Sequence, residues 1–431
     1  MEKALAQELI DFIYGAPSAF HGALVVKNLL EKNGFTELKE EEKWTLEAEK
    51  AYYVTRNDSA IIAFRTGKKC PCVAGFKLIG AHTDSPGFRI KPRPEMVAEG
   101  AYLKLNTEVY GGPILSTWFD RPLGIAGRVA LKGENPLRPV HRLVDINKPV
   151  VIIPNLAIHM NREVNKGVEI NRQKDVLPLV TMVNDNLEKD NFLLKLIAEE
   201  LQVDRDEIVD FDLFLYEYEK GTLVGHKEEF ISASRLDDMA MVHAGIKALI
   251  NAEASDGTQV MVCFDNEEIG SATKQGADSQ LLSNILERIV LSLGGDREDY
   301  FRALSQSFMI SADLAHAVHP NYGEKHDPTN RPVINKGPVI KLSANQRYTT
   351  DSDSSAVYEL ICRQAKVPVQ KFVNKSDVVG GSTIGPISST HLDIRSVDIG
   401  TPIFAMHSIR ELGGVMDHYY ILKTFEEFYR L

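Results

Sequence analysis

Hydrophobic and polar residues of this chain follow a strand period in some segments and a helix period in others. A helical pattern begins at Ser18, runs through ALVVKNLLEK and ends at Asn33-Gly34, two residues that tolerate the left-handed conformation at a helix end. AYYVT and SAIIAFRT then predict a β-hairpin, and FKLIGA predicts an apolar strand that stops at His82. Such alternation is typical of an α/β sheet flanked by helices.

The alternation is interrupted between about Pro92 and about Lys227, where prolines recur and short β-like runs take over. We expect a β-rich domain inserted at 94–227, which divides the α/β domain into residues 1–93 and 228–431. After the insert the alternation resumes in this order: helix 237–250, strand TQVMVCF, helix 278–293, strands SFMISA and PVIKLS, helix 354–364, strands VQKFV, RSVDI and IFAMHS, and helix 417–429.

Several of the predicted strands are followed immediately by residues whose side chains can bind metal ions. They are His82 and Asp84 after FKLIGA, Asp265, Glu267 and Glu268 after TQVMVCF, Asp313 after SFMISA, and His407 after IFAM. In open α/β sheets, ligands bind at the carboxyl ends of the strands, so we expect four separate segments to meet at one edge. With Asp237 from a helix start, the set offers imidazoles and carboxylates, which suit zinc, with manganese or cobalt as alternatives.

We assign these side chains to two metal ions about 3.5–4 Å apart. Asp237 would bridge the ions, because a carboxylate offers two oxygens. His82 and Asp313 would complete the shell of one ion, and Glu268 and His407 the shell of the other.

Two further carboxylates would act beside the ions. Asp84, two residues beyond His82, would orient the imidazole ring. A water shared by the ions would lose a proton near neutral pH and attack as a metal-bridged hydroxide. Glu267 lies beside a ligand without being one, so it would be the general base that takes the water's proton and returns it to a leaving amine.

Each of these residues also has an ordinary structural interpretation. An isolated histidine at a strand end is more often hydrogen-bonded than metal-bound. Asp237-Asp238 could be a helix cap favoured by the helix dipole, and Glu267-Glu268 could be a solvated acidic corner. The joint pattern favours a metal site, because ligand-type residues follow one apolar strand after another.

Composition argues against two classes of partner. The 431 residues carry a formal net charge of −11, which would repel nucleic-acid phosphates and anionic lipid heads. No apolar run approaches the ~20 residues of a membrane span. The segment MEKALAQELIDFIYG places acidic residues within an amphipathic pattern, unlike a signal peptide. We therefore expect a cytoplasmic protein with neither nucleic acid nor membrane as partner.

The cysteines favour a reducing compartment. Four of them, Cys70, Cys72, Cys263 and Cys362, are too few for a disulfide framework in a chain of this length. Cys70 and Cys72 flank Pro71, but a C-x-C pair alone is weak evidence for a metal site. Free and mostly inert thiols are the preferred interpretation.

Several segments resemble a known family, in the same order and over essentially the whole chain. They are GAHTDSPGFRIKPRP, SRLDD, DNEEIGSATKQGA, ISADLAHAVHPNY, RPVINKGPVIK with NQRYTTD, GGSTIGP and AMHSIRE. These segments resemble the aspartyl aminopeptidases of peptidase family M18. The resemblance implies a zinc exopeptidase-like fold, in which a mixed, mostly parallel sheet is flanked by helices and carries an inserted β-rich dimerisation domain.

The resemblance also implies roles for individual residues. The zinc ligands of the family, two ions per subunit, match His82, Asp237, Glu268, Asp313 and His407. The general base matches Glu267, and the Asp of HTD matches Asp84. Two departures concern the pocket: Asp238 stands where relatives often have Asn, and VVGGSTIGP is looser than the usual Cys-Gly-Thr-Thr form.

Three more residues match family positions that contact substrate. Lys341 and His316 resemble the residues that line the S1 pocket, and His159 resembles a histidine that reaches the active site of a neighbouring subunit. Family members form dimers through the insert and assemble into dodecamers whose chamber admits short or unfolded peptides. The expected protein is a homo-oligomer that acts on short peptides with a free N-terminus.

The substrate preference leaves alternatives open. Lys341 would favour Asp or Glu as the first residue of the peptide through a charge-assisted bond. An aminopeptidase that prefers neutral residues is one alternative, and a carboxypeptidase or deacylase is another. A metal-stabilised assembly protein without catalysis is the alternative outside enzymes, although such a site has no use for an unligated base such as Glu267.

Overall fold

The computed structural model describes residues 1–183 and 191–431. Internal contacts divide the chain into two compact units. The first unit contains Met1–Asp84, Gly221–Met406 and Glu411–Leu431, and the second contains Ser85–Lys220 and His407–Arg410. Within the described ranges, none of the helices has the length and apolar character that crossing a membrane requires.

The strands of the described residues are, in chain order, β1 (Thr36–Glu37), β2 (Ala51–Arg56), β3 (Ala60–Arg65), β4 (Phe76–His82), β5 (Gly87–Ala98), β6 (Tyr102–Tyr110), β7 (Leu123–Asn135), β8 (Arg138–Asp145), β9 (Leu179–Met182), β10 (Ile208–Glu217), β11 (Thr222–Val224), β12 (Phe230–Ala233), β13 (Thr258–Phe264), β14 (Phe308–Ala312), β15 (Ala315–His316), β16 (Val339–Leu342), β17 (Gln370–Val373), β18 (Arg395–Gly400), β19 (Pro402–Ile403) and β20 (Glu411–Gly414).

The α-helices are α1 (Glu2–Tyr14), α2 (Ala19–Lys32), α3 (Pro71–Ala74), α4 (Phe192–Leu201), α5 (Leu236–Asn251), α6 (Leu281–Ser292), α7 (Arg297–Ser305), α8 (Ser352–Ala365), α9 (Ile384–Leu392) and α10 (Val415–Arg430). Short 3₁₀ helices occupy Leu115–Trp118, Val164–Lys166, Arg205–Glu207, Glu267–Ile269 and Gly323–Lys325.

The first unit is built on a mixed, mostly parallel sheet. Its nine strands follow the order β1-β2-β3-β13-β4-β14-β18-β16-β17. The neighbours β13, β4, β14 and β18 run parallel, whereas β2 and β3 form the antiparallel hairpin that AYYVT and SAIIAFRT predict. The α/β class with a mixed sheet flanked by helices is therefore confirmed.

Helices cover both faces of this sheet because its central strands are apolar on both sides. Successive residues of a strand point to opposite faces. Ile79 of β4 accordingly belongs to a core with residues of α1, α2, α5, α8 and α10, whereas its neighbour Leu78 belongs to a core with residues of α6, α7 and α9. β13 is buried along its whole length, Thr258–Phe264.

Local signals in the sequence explain several element boundaries. The Ser18 side chain accepts a hydrogen bond from the backbone N–H of His21, which fixes the start of α2. Asp351 and Ser354 form a reciprocal capping box at the start of α8. Asp296 and Asp299 do the same for α7, a helix for which the sequence analysis made no prediction.

The second unit contains an antiparallel sheet of six strands, in the order β8-β7-β10-β5-β6-β9. Its core includes Phe88, Ile125 and Leu213 and also Leu193 and Ile197 of α4. The predicted β-rich insert, 94–227, covers most of Ser85–Lys220. The dimerisation role of this segment stays a prediction.

One predicted strand is wrong. IFAMHS was expected to form a strand, but β19 ends at Ile403 and pairs with β15 in a two-stranded sheet. Ala405 and His407 have φ angles of 57° and 68°, which lie in the left-handed region. Extended β-structure requires negative φ, so the chain turns here instead of continuing a strand.

Candidate metal centre

Three adjacent parallel strands of the first unit end next to one another. β4 lies between β13 and β14, and the last residue of β4, His82, pairs with the last residue of β13, Phe264. Asp313 comes directly after β14, and Asp265 directly after β13. Parallel strands bring their carboxyl ends to the same edge, so these three segments deliver polar side chains to one place.

His82 lies at the centre of the resulting cluster and is buried. Its Nε2 atom lies 3.6 Å from Oδ1 of Asp237, and its Nδ1 atom lies 3.0 Å from the carbonyl oxygen of Asp84. Its backbone N–H donates to Oδ2 of Asp238 at 3.1 Å. Because Nδ1 contacts Asp84, Nε2 is the ring atom that faces Asp237.

Asp237 and Asp238 lie at the start of α5 in a conformation that is not helical. The ψ angle of Asp237 is 107°, the peptide bond between the two residues is cis, and Arg235 before them has a φ of 54°. The backbone N–H of Asp237 donates to Oε2 of Glu411 at 2.9 Å. This irregular start turns two acidic side chains into the interior, where both are buried.

Asp84 holds the segment that carries Glu267 and Glu268. Its two carboxylate oxygens accept hydrogen bonds from the backbone N–H groups of Glu267 and Glu268, at 3.0 Å and 3.1 Å. Oδ1 of Asp84 also lies 3.4 Å from Nδ1 of His82. One carboxylate therefore orients both the histidine ring and the neighbouring acidic turn.

Ligand-type atoms of this unit approach one another closely enough to share an ion. One group consists of His82, Asp237, Asp238 and Asp313, and a second consists of His82, Glu267 and Glu268. In each group the ligand atoms lie within 4.8 Å of one another. The structure thus brings together the predicted ligands of the first unit and the predicted base, which are His82, Asp237, Glu267, Glu268 and Asp313.

The carboxyl groups of the cluster keep their protons to a higher pH than exposed carboxyl groups do. Burial raises the pKa of Glu267 to about 8 and the pKa of Glu268 well above its ordinary value. Neighbouring carboxylates add to both shifts, and His82 opposes them. Burial likewise raises the pKa of Asp313 to about 6. Although burial opposes charge on His82, Asp238 and its neighbours raise the pKa of the ring.

Buried carboxylates crowded around an imidazole fit a divalent cation. The cation would replace the protons that otherwise neutralise these groups. The donors are imidazole nitrogen and carboxylate oxygen, both of which zinc accepts. The chemistry of these donors is therefore compatible with a zinc ion.

Lys341, on β16, lies against this cluster. Its Nζ atom is 3.6 Å from Oδ1 of Asp313 and 5.6 Å from the centre of the Tyr348 ring. Lys341 is buried, whereas His316 on β15 is exposed. The His316 ring packs edge-on against Phe372, with 5.9 Å between ring centroids.

The two remaining predicted site residues belong to the second unit. His407 lies in a turn and its Nδ1 atom is 3.1 Å from the carbonyl oxygen of Gly112. His159 lies in an exposed loop between β8 and β9. The roles of both residues at a metal centre or a neighbouring subunit stay predictions.

Three buried acidic residues were not among the site residues predicted from the sequence. Asp238 belongs to the cluster, Glu411 holds the start of α5, and Asp398 accepts hydrogen bonds from three segments of the first unit. The doubled Asp before an apolar helix could have indicated Asp238. Glu411 and Asp398 follow no recognisable local pattern, because only the folded chain gives them their partners.

A family model described as "Aminopeptidase I zinc metalloprotease (M18)" matches residues 12–429 of the chain. A protein of Clostridium novyi (strain NT) named "Probable M18 family aminopeptidase 2" is 65% identical over 426 residues, which cover 99% of this chain and 98% of that protein.

Solved structures are similar over the same length. A structure described as a cryo-EM structure of the Ape4 and Nbr1 complex superposes with a TM-score of 0.96 at 38% identity, covering 100% of this chain and 86% of the other. The structure of the mApe1 dodecamer of S. cerevisiae has a TM-score of 0.86 at 31% identity, covering 99% of this chain and 96% of the other.

Proposed function

This chain belongs to the M18 family and is a metal-dependent aminopeptidase, and we propose that it uses two zinc ions to remove N-terminal Asp or Glu from short peptides. The observation that carries the proposal is the buried cluster of the first unit, in which His82, Asp237 and Asp313 approach one another beside the Glu267-Glu268 turn. An aminopeptidase needs a base near its ions, and Glu267 is available there.

The proposed ligands are five side chains. Asp237 would contribute to both ions. His82 and Asp313 would bind one ion, and Glu268 and His407 would bind the other. The family description supports zinc, and manganese or cobalt would fit the same donors. When bound, the ions supply Lewis-acid polarisation of the scissile carbonyl and acidify the attacking water.

Glu267 would move the proton that the reaction requires. Its carboxylate would take a proton from the attacking water and pass it to the nitrogen of the departing peptide. Asp84 supports this role, because it accepts the backbone N–H of Glu267 at 3.0 Å and so fixes the position of the acidic turn. Asp84 also orients His82 and is therefore a positioning residue.

Lys341 and His316 would recognise the first residue of the substrate. Burial opposes the charge of Lys341, but Asp313 and other neighbouring acids raise its pKa above the ordinary value, so the side chain stays cationic. A carboxylate on the substrate side chain would form a charge-assisted bond worth about 1.5–3 kcal/mol with Lys341. This bond is the basis for an Asp or Glu preference over neutral residues.

The chain would act as a homo-oligomer, in the cytoplasm, on peptides with a free N-terminus. One of the similar structures is a dodecamer, and we extend that assembly, with the insert as dimerisation domain, to this chain. His159 is exposed on the second unit and would contribute to the active site of a neighbouring subunit.

The test is a panel of aminoacyl-chromophore substrates, assayed after chelation and after addition of zinc, manganese or cobalt singly. We expect activity to disappear on chelation, to return with zinc, and to be greatest for Asp and Glu. Acetylated substrates should be inert. Glu267→Gln should keep its metal content and lose about 10²–10⁴-fold in kcat.

Two results would contradict the proposal. Undiminished cleavage by protein stripped of divalent ions would exclude the metal mechanism. A Glu267→Gln variant with wild-type kcat would exclude Glu267 as the general base.

A further inference from the structure

Outside the metal centre, two sulfur atoms of the first unit meet between β3 and β4. The Cys72 thiol donates to Sγ of Cys70 at a sulfur–sulfur distance of 2.7 Å. A disulfide bond measures ~2.05 Å, so only a small movement separates these thiols from bonding distance. Both side chains are partly exposed, in contrast to the buried thiols of Cys263 and Cys362.

The backbone around the pair is fixed at both ends. A Cβ atom at Gly67 would overlap the carbonyl oxygen of Asp256, and one at Gly75, where φ is 69°, would overlap the carbonyl oxygen of Gln306. The N–H of Lys69 donates to the carbonyl of Asp256 at 3.1 Å. The segment between these glycines is therefore anchored to its neighbours.

The residues between the anchors hold the two thiols together. Pro71 restricts its own φ angle and starts the single turn of α3. The N–H of Val73 donates back to the carbonyl of Cys70 at 2.9 Å. Because the backbone positions the pair, closing the ring requires little further ordering of the chain.

A metal site is the weaker explanation for the pair. Among the groups of three or more potential ligands found within 1–183 and 191–431, none includes Cys70 or Cys72. Thiolate metal sites normally draw on three or four ligands. Two adjacent thiols without such support are better suited to thiol–disulfide exchange.

We propose that Cys70 and Cys72 form a redox-active dithiol that exchanges with low-molecular-weight disulfides such as oxidised glutathione. This site is independent of the peptidase centre, and its two sulfurs are the reacting atoms. The sequence analysis interpreted these two cysteines as free and mostly inert thiols, whereas the proposal gives them a role in thiol–disulfide exchange.

The exchange with the small disulfide takes place in two steps. The Cys72 thiol uses its proton to donate to Sγ of Cys70, so we assign Cys70 as the sulfur that attacks first. The same hydrogen bond, followed by burial, raises the pKa of Cys72 to about 11. Cys70 bonds to one sulfur of the small disulfide and expels the other as a thiolate.

Cys72 then gives up its proton and attacks Sγ of Cys70, which expels the second small thiolate. The protein loses two electrons and two protons. The small disulfide gains both and leaves as two thiols.

The experiment uses the whole protein in its native state. After incubation with oxidised glutathione, accessible thiols are blocked with N-ethylmaleimide and the protein is digested with trypsin. Cleavage after Lys69 and Lys77 releases CPCVAGFK, which contains both cysteines and no other. We expect this peptide to be two hydrogens lighter and free of maleimide, and to carry two maleimide groups after prior reduction with dithiothreitol.

Cys72→Ser is the matched variant, because it keeps the attacking sulfur and removes the resolving one. Its peptide should retain one glutathione on Cys70, whereas the wild-type peptide should retain none. Two maleimide groups on the wild-type peptide after oxidation, or a persistent glutathione adduct on it, would overturn the proposal. Absence of an adduct on Cys72→Ser would overturn the assignment of Cys70 as the attacking sulfur.

Discussion

Lys341 is the side chain on which substrate preference depends most directly. It is a buried cation beside a proposed metal ligand, with 3.6 Å between its Nζ atom and Oδ1 of Asp313. Two roles are compatible with this position. Lys341 can recognise an acidic substrate, or it can balance the charge of Asp313.

Lys341→Met separates these roles, because methionine keeps the length of the side chain and removes its charge. If Lys341 binds the substrate, kcat/KM for N-terminal Asp should fall about 10- to 100-fold, corresponding to about 1.5–3 kcal/mol, while kcat/KM for N-terminal Leu changes little. The measurement is steady-state kinetics on both substrates. Equal losses on both would assign Lys341 to Asp313 and remove it from the pocket.

The raised pKa of Asp313 predicts that metal affinity depends on pH. In the metal-free protein, burial raises this pKa to about 6, so below that pH the carboxyl is protonated and must release its proton when a cation binds. Zinc affinity should fall by up to about tenfold per pH unit for each displaced proton as the pH drops through 6. Equilibrium dialysis from about one pH unit below this pKa to about two pH units above it would measure the affinity. A constant affinity over that range would contradict the prediction.

At the scale of elements, Asp398 connects parts of the first unit that are far apart in sequence. Its carboxylate on β18 accepts the hydroxyl of Ser311 on β14 at 2.5 Å and the hydroxyl of Thr383 before α9 at 2.7 Å. It also accepts the backbone N–H of Thr349 before α8 at 2.6 Å. The segments NQRYTTD and GGSTIGP are thus tied to one buried carboxylate.

Asp398→Ala should lower the free energy of unfolding by about 3 kcal/mol or more, because several buried donors lose a charged acceptor at once. Asp393→Asn is the control, since Asp393 is exposed just before the same strand and should change stability by less than about 0.5 kcal/mol. Urea denaturation measures both variants. Equal midpoints for Asp398→Ala and the wild type would show that Asp398 is not a structural link.

At the scale of the whole molecule, the loop around His159 has the character of a contact surface. Leu156, Ile158 and Met160 expose 62%, 49% and 76% of their surface. Exposed apolar residues that are contiguous indicate an interaction site more often than isolated ones do. Burial of this loop in an assembly would explain both its composition and the proposed role of His159.

Mixing subunits tests whether His159 acts on a neighbour. His159→Ala and Glu267→Gln subunits, each with low activity alone, should together regain about a quarter of wild-type activity, because mixed oligomers contain sites with both residues intact. Subunits that carry both changes are the control and should regain none. Mixed oligomers that stay inactive would show that His159 does not act across an interface.

The sequence by itself determined the α/β fold class and the family. It also determined the three strand ends at which His82, the Glu267-Glu268 turn and Asp313 lie. These features could be predicted because apolar periodicity, and the acidic or imidazole residues that follow an apolar run, are local properties of the sequence. It failed at IFAMHS, where an apolar run resembles a strand although the left-handed φ of His407 excludes one. Periodicity does not reveal such backbone conformations.

Only the tertiary structure decided which partners these side chains meet. It paired Lys341 with Asp313, gave Glu411 and Asp398 their hydrogen bonds, and brought the sulfurs of Cys70 and Cys72 together. Such contacts depend on the order of strands in the sheet and on the exact course of the turns. The physical reason is that hydrogen bonds and charge interactions are decided over a few ångströms between segments that can be hundreds of residues apart in the chain.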